Sequence, residues 1–178
     1  MSENPQKVAR SLEKLDGETM KERLRELGRH LDKVRSACFL LGERLIDRGE
    51  DGDADMALRL IRNSLSHDIS KLQGLEWDFI HQKDDMMLVG IAARHHVMVN
   101  PHHPEYWGGQ SSMPPDAIAE MVCDWYSRSQ EMGTDLRAWI KEEAHKRYEI
   151  PPTGRVAKLI KSFVDLLLTP PFKDKEKL

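Results

Sequence analysis

His67 and Asp68 stand side by side, and four more histidines, His95, His96, His102 and His103, crowd into nine residues downstream. Neutral imidazoles and carboxylates are the groups that hold divalent transition metals, provided several chain elements bring them together. Two further residues extend the set, His30 upstream and Asp124 downstream. The candidates therefore arrive in the order His30, His67-Asp68, His95/His96, His102/His103, Asp124.

Each candidate also has a plain structural reading. His30 follows Leu27 by three and precedes Val34 by four, so it sits on the inward edge of a helix and could be an ordinary core histidine. His67 and Asp68 are neighbours, which on a helix point about 100° apart. Both serve one centre only if it lies over the edge between them, and a carboxylate there has two oxygens with which to bridge two ions. Lys71, one turn on in HDISK, would put an ammonium beside such a centre, where it could clamp a phosphate as a point charge. Otherwise it is a solvated lysine. Periodicity does not choose between His95, in series with Leu88 and Ile91, and His96, in series with Val89, Ala92 and Val99. His102 and His103 follow Pro101 in a loop, the usual seat of functional side chains. Asp124 shares a stripe with Ala117 and Met121, where an unpaired carboxylate would be expensive. A metal, a histidine or an arginine would offset that cost.

The elements that must carry these residues read as helices throughout. Residues 19–48 hold an apolar stripe of Leu24, Leu27, Leu31, Val34, Cys38, Leu41 and Leu45 in steps of three and four. GEDGD (49–53) breaks it, and Asp53 or Asp55 is placed to cap the next helix. That helix spans about 54–67, with Leu58, Ile61 and Leu65 on one face and Ile69 and Leu72 extending the pattern. Residues 74–96 split near 82–85, and 97–114 read as a loop. Pro114 or Pro115 opens a helix that Gly133 stops. Further helices cover about 135–147 and 154–168. Residues 1–17 hold a weak helix (Val8, Leu12, Leu15), and 169–178 a frayed tail. No segment alternates with a strand's period, so the expected fold is all-α, a single domain over 1–178 with its core at about 20–168.

The 178 residues suit one domain, and a net charge of −3 argues against binding a nucleic-acid duplex. Cys38 and Cys123 have no CxxC partner and read as reduced core thiols. No apolar run is long enough for a membrane span and the N-terminus lacks a signal-peptide pattern, so the expected location is cytoplasmic. The last helix's apolar stripe suits ordinary packing, and would equally suit a lid or a homodimer face.

The stretch HLDKV from His30, HDISK at 67–71 and Asp124 resemble the HD-domain metal-dependent phosphohydrolase superfamily, a helical bundle with ligands ordered His, His-Asp, optional further His, Asp. HDISK is similar to the HD-x-G-K string of the cyclic-dinucleotide phosphodiesterase branch, with Ser70 for the glycine. HHPEYWGG (102–109) loosely resembles that branch's HHE signature, while its GYP segment is absent. The combination of HDISK, HxxxNPHHPEYW and EMVCDW also looks like a small bacterial and phage family. The resemblance implies a first metal held by His30, His67, Asp68 and Asp124, with Asp68 bridging to a second held by His96 and by His102 or His103. The implied cofactors are one or two divalent ions (Mn, Fe, Zn, Ni or Mg). The implied substrate is a small phosphate ester, with a nucleotide as one form, hydrolysed with Lys71 and Arg94 as clamps and Glu105 as a candidate for proton transfer. Tyr106 and Trp107 could stack on a base or simply pack the loop. Two other readings share the ligand order: an HD-type di-iron oxygenase, and a ligand-binding module without turnover.

Overall fold

The structure is a computed structural model and describes residues 15–82 and 84–170. It is all-helical. The expected helix within 1–17 falls largely outside the described residues, as do positions 171–178 of the tail.

Helix α1 (Gly17–Arg48) begins at Asp16, whose carboxylate accepts from the backbone N–H groups of Glu18 and Thr19, and ends at Gly49 in the left-handed conformation. Helix α2 (Asp53–Ser64) folds back on α1. The close approach is made where Gly42 leaves room: a Cβ there would lie 3.1 Å from Ile61 Cδ1. This contact fixes which face of α2 is buried, and it is the face of Met56, Ala57, Leu60 and Ser64. Of the expected apolar series only Ile61 packs toward α1; Leu58, Leu65, Ile69 and Leu72 are exposed. The expected Asp cap is also absent. Gly52 occupies the N-cap, and Asp53 instead accepts from Arg48 Nε at 2.8 Å and Nη2 at 2.5 Å, clamping the α1–α2 joint.

Helix α2 ends at Ser64, three residues short of His67, so the His-Asp pair is not helical as expected but lies in the turn before a 3-10 segment, Ile69–Leu72. Helices α3 (Gly74–Phe79) and α4 (Met86–Val99) follow, separated where the sequence places the break. The loop expected over 97–114 is shorter, because α4 runs to Val99, and it contains 3-10 turns at Pro104–Trp107 and Gln110–Ser112. Trp107 packs against the core and donates from Nε1 to the Pro101 carbonyl at 2.7 Å, which pins this loop. Helix α5 (Pro115–Met132) starts on proline and stops at left-handed Gly133. Helices α6 (Leu136–Trp139) and α7 (His145–Arg147) sandwich a π-helical stretch, Ile140–Ala144, and α8 (Arg155–Leu168) closes the bundle.

One apolar core joins α1, α2, α5 and α8, with Leu41, Leu45, Leu60, Ile118 and Phe163 fully buried. Burying a side chain of this size is worth roughly 1.5–3 kcal/mol. Cys38 and Cys123 are free thiols in this core. Helices α3 and α4 pack on each other at one side and leave Met86, Met87 and Met98 exposed. Among the described residues, no helix is long and apolar enough to cross a membrane.

Candidate metal centre

Where α1, the His67-Asp68 turn, the end of α4, the following loop and α5 converge, polar side chains gather inside the bundle. His30, His67, Asp68, His102 and His103 are buried, and His96 and Asp124 sit at the rim with 14% and 18% of their side chains exposed.

Asp68 occupies the middle. Its Oδ2 lies 3.7 Å from His30 Nε2 and 3.6 Å from His67 Nε2, and its Oδ1 lies 3.3 Å from His96 Nε2 and 3.4 Å from His102 Nε2. Asp124 Oδ1 stands 3.2 Å from His30 Nε2, completing the first side, and His103 Nε2 stands 3.1 Å from His96 Nε2, completing the second. Asp68 takes this position with φ at 55°, a left-handed conformation that Asp tolerates better than most residues. The turn, rather than a helical face, is what lets adjacent side chains aim at one place.

The donor atoms form three overlapping sets, each within 4.8 Å: His30, His67 and Asp124; His67, Asp68 and His102; and His96, His102 and His103. A metal fits by a further test. His30 Nε2, His67 Nε2, His102 Nε2, Asp68 Oδ1 and Asp124 Oδ1 are all buried without a hydrogen-bond partner. Each such atom costs about 1–3 kcal/mol if left so. Five of them turned toward one another could hold a metal ion. Imidazole and carboxylate without thiolate suit Mn, Fe, Ni or Zn, whereas Mg takes oxygen ligands.

Behind the imidazoles stands a ring of carboxylates that spacing did not single out. His67 Nδ1 meets Glu120 Oε1 at 2.9 Å, His96 Nδ1 meets Glu76 Oε2 at 2.9 Å, and His30 Nδ1 meets Glu131 Oε1 at 3.3 Å. With the carboxylate accepting, Nδ1 carries the proton and Nε2 is turned inward as the ligand atom, the arrangement that orients metal-bound histidines. Glu120 and Glu76 are buried, so they are placed for this task rather than for solvent. Asn100 adds a brace, donating from Nδ2 to Ser70 Oγ and to the His96 carbonyl, each at 2.8 Å. It ties the HDISK turn to the end of α4.

The electrostatics agree with a cation site. Burial works against charge on His102 and, with His67 beside it, pushes that imidazole well below its usual range; His103 is driven down to about 4, chiefly by burial. Burial alone would raise the carboxyls of Asp68 and Asp124. The neighbouring His67, Lys71, His102 and His96 instead hold Asp68 far below the ordinary range, and His30, His67 and His102 do so for Asp124. His67 has a raised pKa in the metal-free chain: burial opposes its charge, but Glu120, Asp68 and Asp124 outweigh it. Burial thus favours the neutral form of His102 and His103, and the neighbouring cationic groups favour the ionised form of Asp68 and Asp124.

Of the two candidates on α4, His96 joins the cluster. His95 is 42% exposed and turns to Glu76 Oε1 at 2.8 Å. Lys71 forms an ion pair with Asp68 Oδ2. Arg94 and Glu105 are not brought in. Arg94 is exposed on α4, with no hydrogen bond or ion pair to the cluster among the described residues, and Glu105 lines a separate cleft with Gln110, Arg147 and Glu149.

No curated protein and no solved structure matches the chain. Residues 19–166, which span every ligand candidate above, match a family of unknown function (DUF5662), and the chain belongs to that family.

Proposed function

We propose that the chain is a cytoplasmic metal-dependent phosphohydrolase with a binuclear His/Asp centre, acting on a small phosphate ester, and that its kinship lies with the HD-domain superfamily. The observation that carries this reading is the division of Asp68: one oxygen faces the His30/His67 pair and the other faces the His96/His102 pair. A carboxylate so shared is the bridge that a two-ion site requires.

Divalent cations bound there would lower the pKa of a water and neutralise charge on phosphoryl oxygens. His30, His67, Asp68 and Asp124 would hold one ion, and His96, His102 and His103 with the second oxygen of Asp68 the other. Lys71, paired with Asp68 yet 18% exposed, is placed to exchange part of that ion pair for a phosphate oxygen. In the reaction the oxygen of water bonds to phosphorus, the ester P–O bond breaks, and a proton passes to the leaving oxygen. The glutamates behind the imidazoles keep the ligands fixed while charge builds on the phosphoryl group.

The test is metal analysis of the purified chain, followed by a panel of nucleoside mono-, di- and cyclic phosphates and simple phosphate esters with Mn²⁺ supplied. Phosphate release that disappears in Asp68→Ala, with metal lost in the same variant, is the expected result. Iron with an optical band and oxygen uptake, and no phosphate release, would replace the reading by an oxygenase. Full metal content and activity in Asp68→Ala would remove the centre altogether.

A further inference from the structure

A cavity of about 270 Å³ opens on the cluster at His30 and Lys71. Its walls are built by Arg23 and Leu27 from α1, Trp77 and Ile80 from the α3 region, and Arg128 from α5. Arg23, Leu27 and His30 recur at steps of four and three, so one face of α1 runs from the cavity's outer end to the metal ligands. Arg23 is seven residues from His30, about 10 Å along the axis.

The charge on these walls is unbalanced. Arg23, Lys71 and Arg128 face a single acidic wall residue, Glu26. Lys71 is held by Asp68, and Arg128 donates to Glu131 at 3.0 Å. Arg23 differs, because its Nη1 is buried and, among the described residues, has no hydrogen-bond partner. A guanidinium has five donors and no acceptor, so a buried N–H of this kind calls for an acceptor, and an anion makes the strongest one. The same walls carry Leu27, Ile80 and the indole of Trp77, which packs edge-on against the His81 ring with centroids 4.7 Å apart. The indole is thereby held in place as a wall.

We propose that this cavity is the substrate pocket and that the substrate is a phosphate ester with a flat or apolar body and a second anionic group, which Arg23 binds about two helical turns from the reacting phosphate. The proposal rests on the phosphohydrolase reading for the identity of the reacting group. A cavity this small lies at the low end for small-molecule sites and does not accommodate a polymer in its length.

The experiment is calorimetric titration of the metal-loaded chain with two phosphonates that cannot be hydrolysed, benzylphosphonate and para-carboxybenzylphosphonate. The wild-type chain is expected to bind the carboxylated probe about tenfold more tightly. Arg23→Gln should abolish that preference while leaving benzylphosphonate within about twofold of its wild-type affinity, and Trp77→Leu should weaken both probes. Equal affinity for the two probes in the wild type, a preference that survives Arg23→Gln, or no binding of either probe would overturn the proposal. Because binding is read without turnover, the two readings fail separately. A chain that shows the preference but releases no phosphate in the ester panel loses only the hydrolase assignment. A chain that hydrolyses esters without the preference loses only the second anion.

Discussion

His67 turns Nδ1 to Glu120, 2.9 Å away on α5, and so presents Nε2 to the opposite side, where Asp68 and the other imidazoles meet. Both residues are buried, and Glu120 Oε1 also lies 3.7 Å from His102 Nδ1. One carboxylate thus binds His67 and lies near the His102 ring of the other half of the cluster. Glu120→Gln keeps the shape and removes the charge. Metal affinity, measured by competition with a chromophoric chelator, should fall about 10–100-fold. Unchanged affinity would mean that the Glu120 charge plays no part in orienting these rings.

Asp68 tests the bridge more directly. Asparagine also tolerates the left-handed backbone found at this position, so Asp68→Asn separates charge and bridging from fold. The expected outcome is a drop from two ions per chain to one or none by elemental analysis, with the helical circular dichroism preserved. Asp124→Asn should weaken only the His30/His67 side, since Asp124 has no contact with His96 within ion-pair distance. Equal loss at both ions in that variant would contradict the two-sided arrangement.

Much of this cluster was legible in the sequence because histidines and aspartates able to hold a metal are rare residue types, here in unusual company. His30, His67, Asp68, His102, His103 and Asp124 stand out by type and order alone. Periodicity could not separate His95 from His96, since both lie on lines of apolar residues; both also meet Glu76, a glutamate among many, and only the approach of His96 Nε2 to Asp68 tells them apart. Glu120 and Glu131 were missed for the same reason. A signal did exist for Glu120, a carboxylate on the apolar stretch AIAEMV, one helical turn before Asp124. The helical fold followed from the periodicity of α1, α5 and α8. The packed face of α2 did not, because Gly42 and Ala57 decide it, and small residues leave no hydrophobic mark. The end of α2 at Ser64 was hidden by apolar residues that continue past it, exposed, to Leu72.

The cluster's titration predicts an acid-labile metal-free fold. His103 has a pKa of about 4 in the folded chain against 6.5 for the free side chain, and burial also holds His102 well below 6.5. Groups lowered in this way contribute stability that is present above pH about 6.5 and lost as pH falls toward the folded value. His67 is raised, so its contribution is complete below its unfolded pKa and does not change in this window; those of Asp68 and Asp124 are lost only below their own ordinary values. Urea unfolding of chelated protein should therefore show stability falling between pH 6.5 and 4.5, with His103 alone responsible for up to roughly 3 kcal/mol over its full range. In His103→Asn that slope should be visibly smaller. Identical slopes would show that His103 is not buried as a neutral ring.

Added metal should reverse this. An ion that binds the folded chain alone stabilises it by mass action, by about 2.7 kcal/mol at a hundredfold excess over Kd. The melting temperature should accordingly rise with Mn²⁺ or Zn²⁺ and fall with chelator, and the rise should vanish in Asp68→Ala. A chain whose melting is indifferent to both would carry no specific site, however close its histidines stand.

The α1–α2 joint links the helix of His30 to the helix that leads into the His67-Asp68 turn. Arg48, at the end of α1, donates to both oxygens of Asp53 at the start of α2 and to Ser162 Oγ of α8 at 3.0 Å. Asp53 is 4% exposed, and its carboxyl is lowered principally by the Arg48 hydrogen bonds. Three helices are thus fastened through one guanidinium, remote from the ligands themselves. Asp53→Ala strips Arg48 of its main partner while the arginine remains three-quarters covered. Removing one partner of such a pair should cost about 2–4 kcal/mol, measurable by urea denaturation. Double substitution of Arg48 and Asp53 by Met and Leu should recover part of that loss, because the penalty lies in the stranded charge. If Asp53→Ala alone were neutral, the α1–α2 joint would be held by the Gly42–Ile61 packing and not by the ion pair.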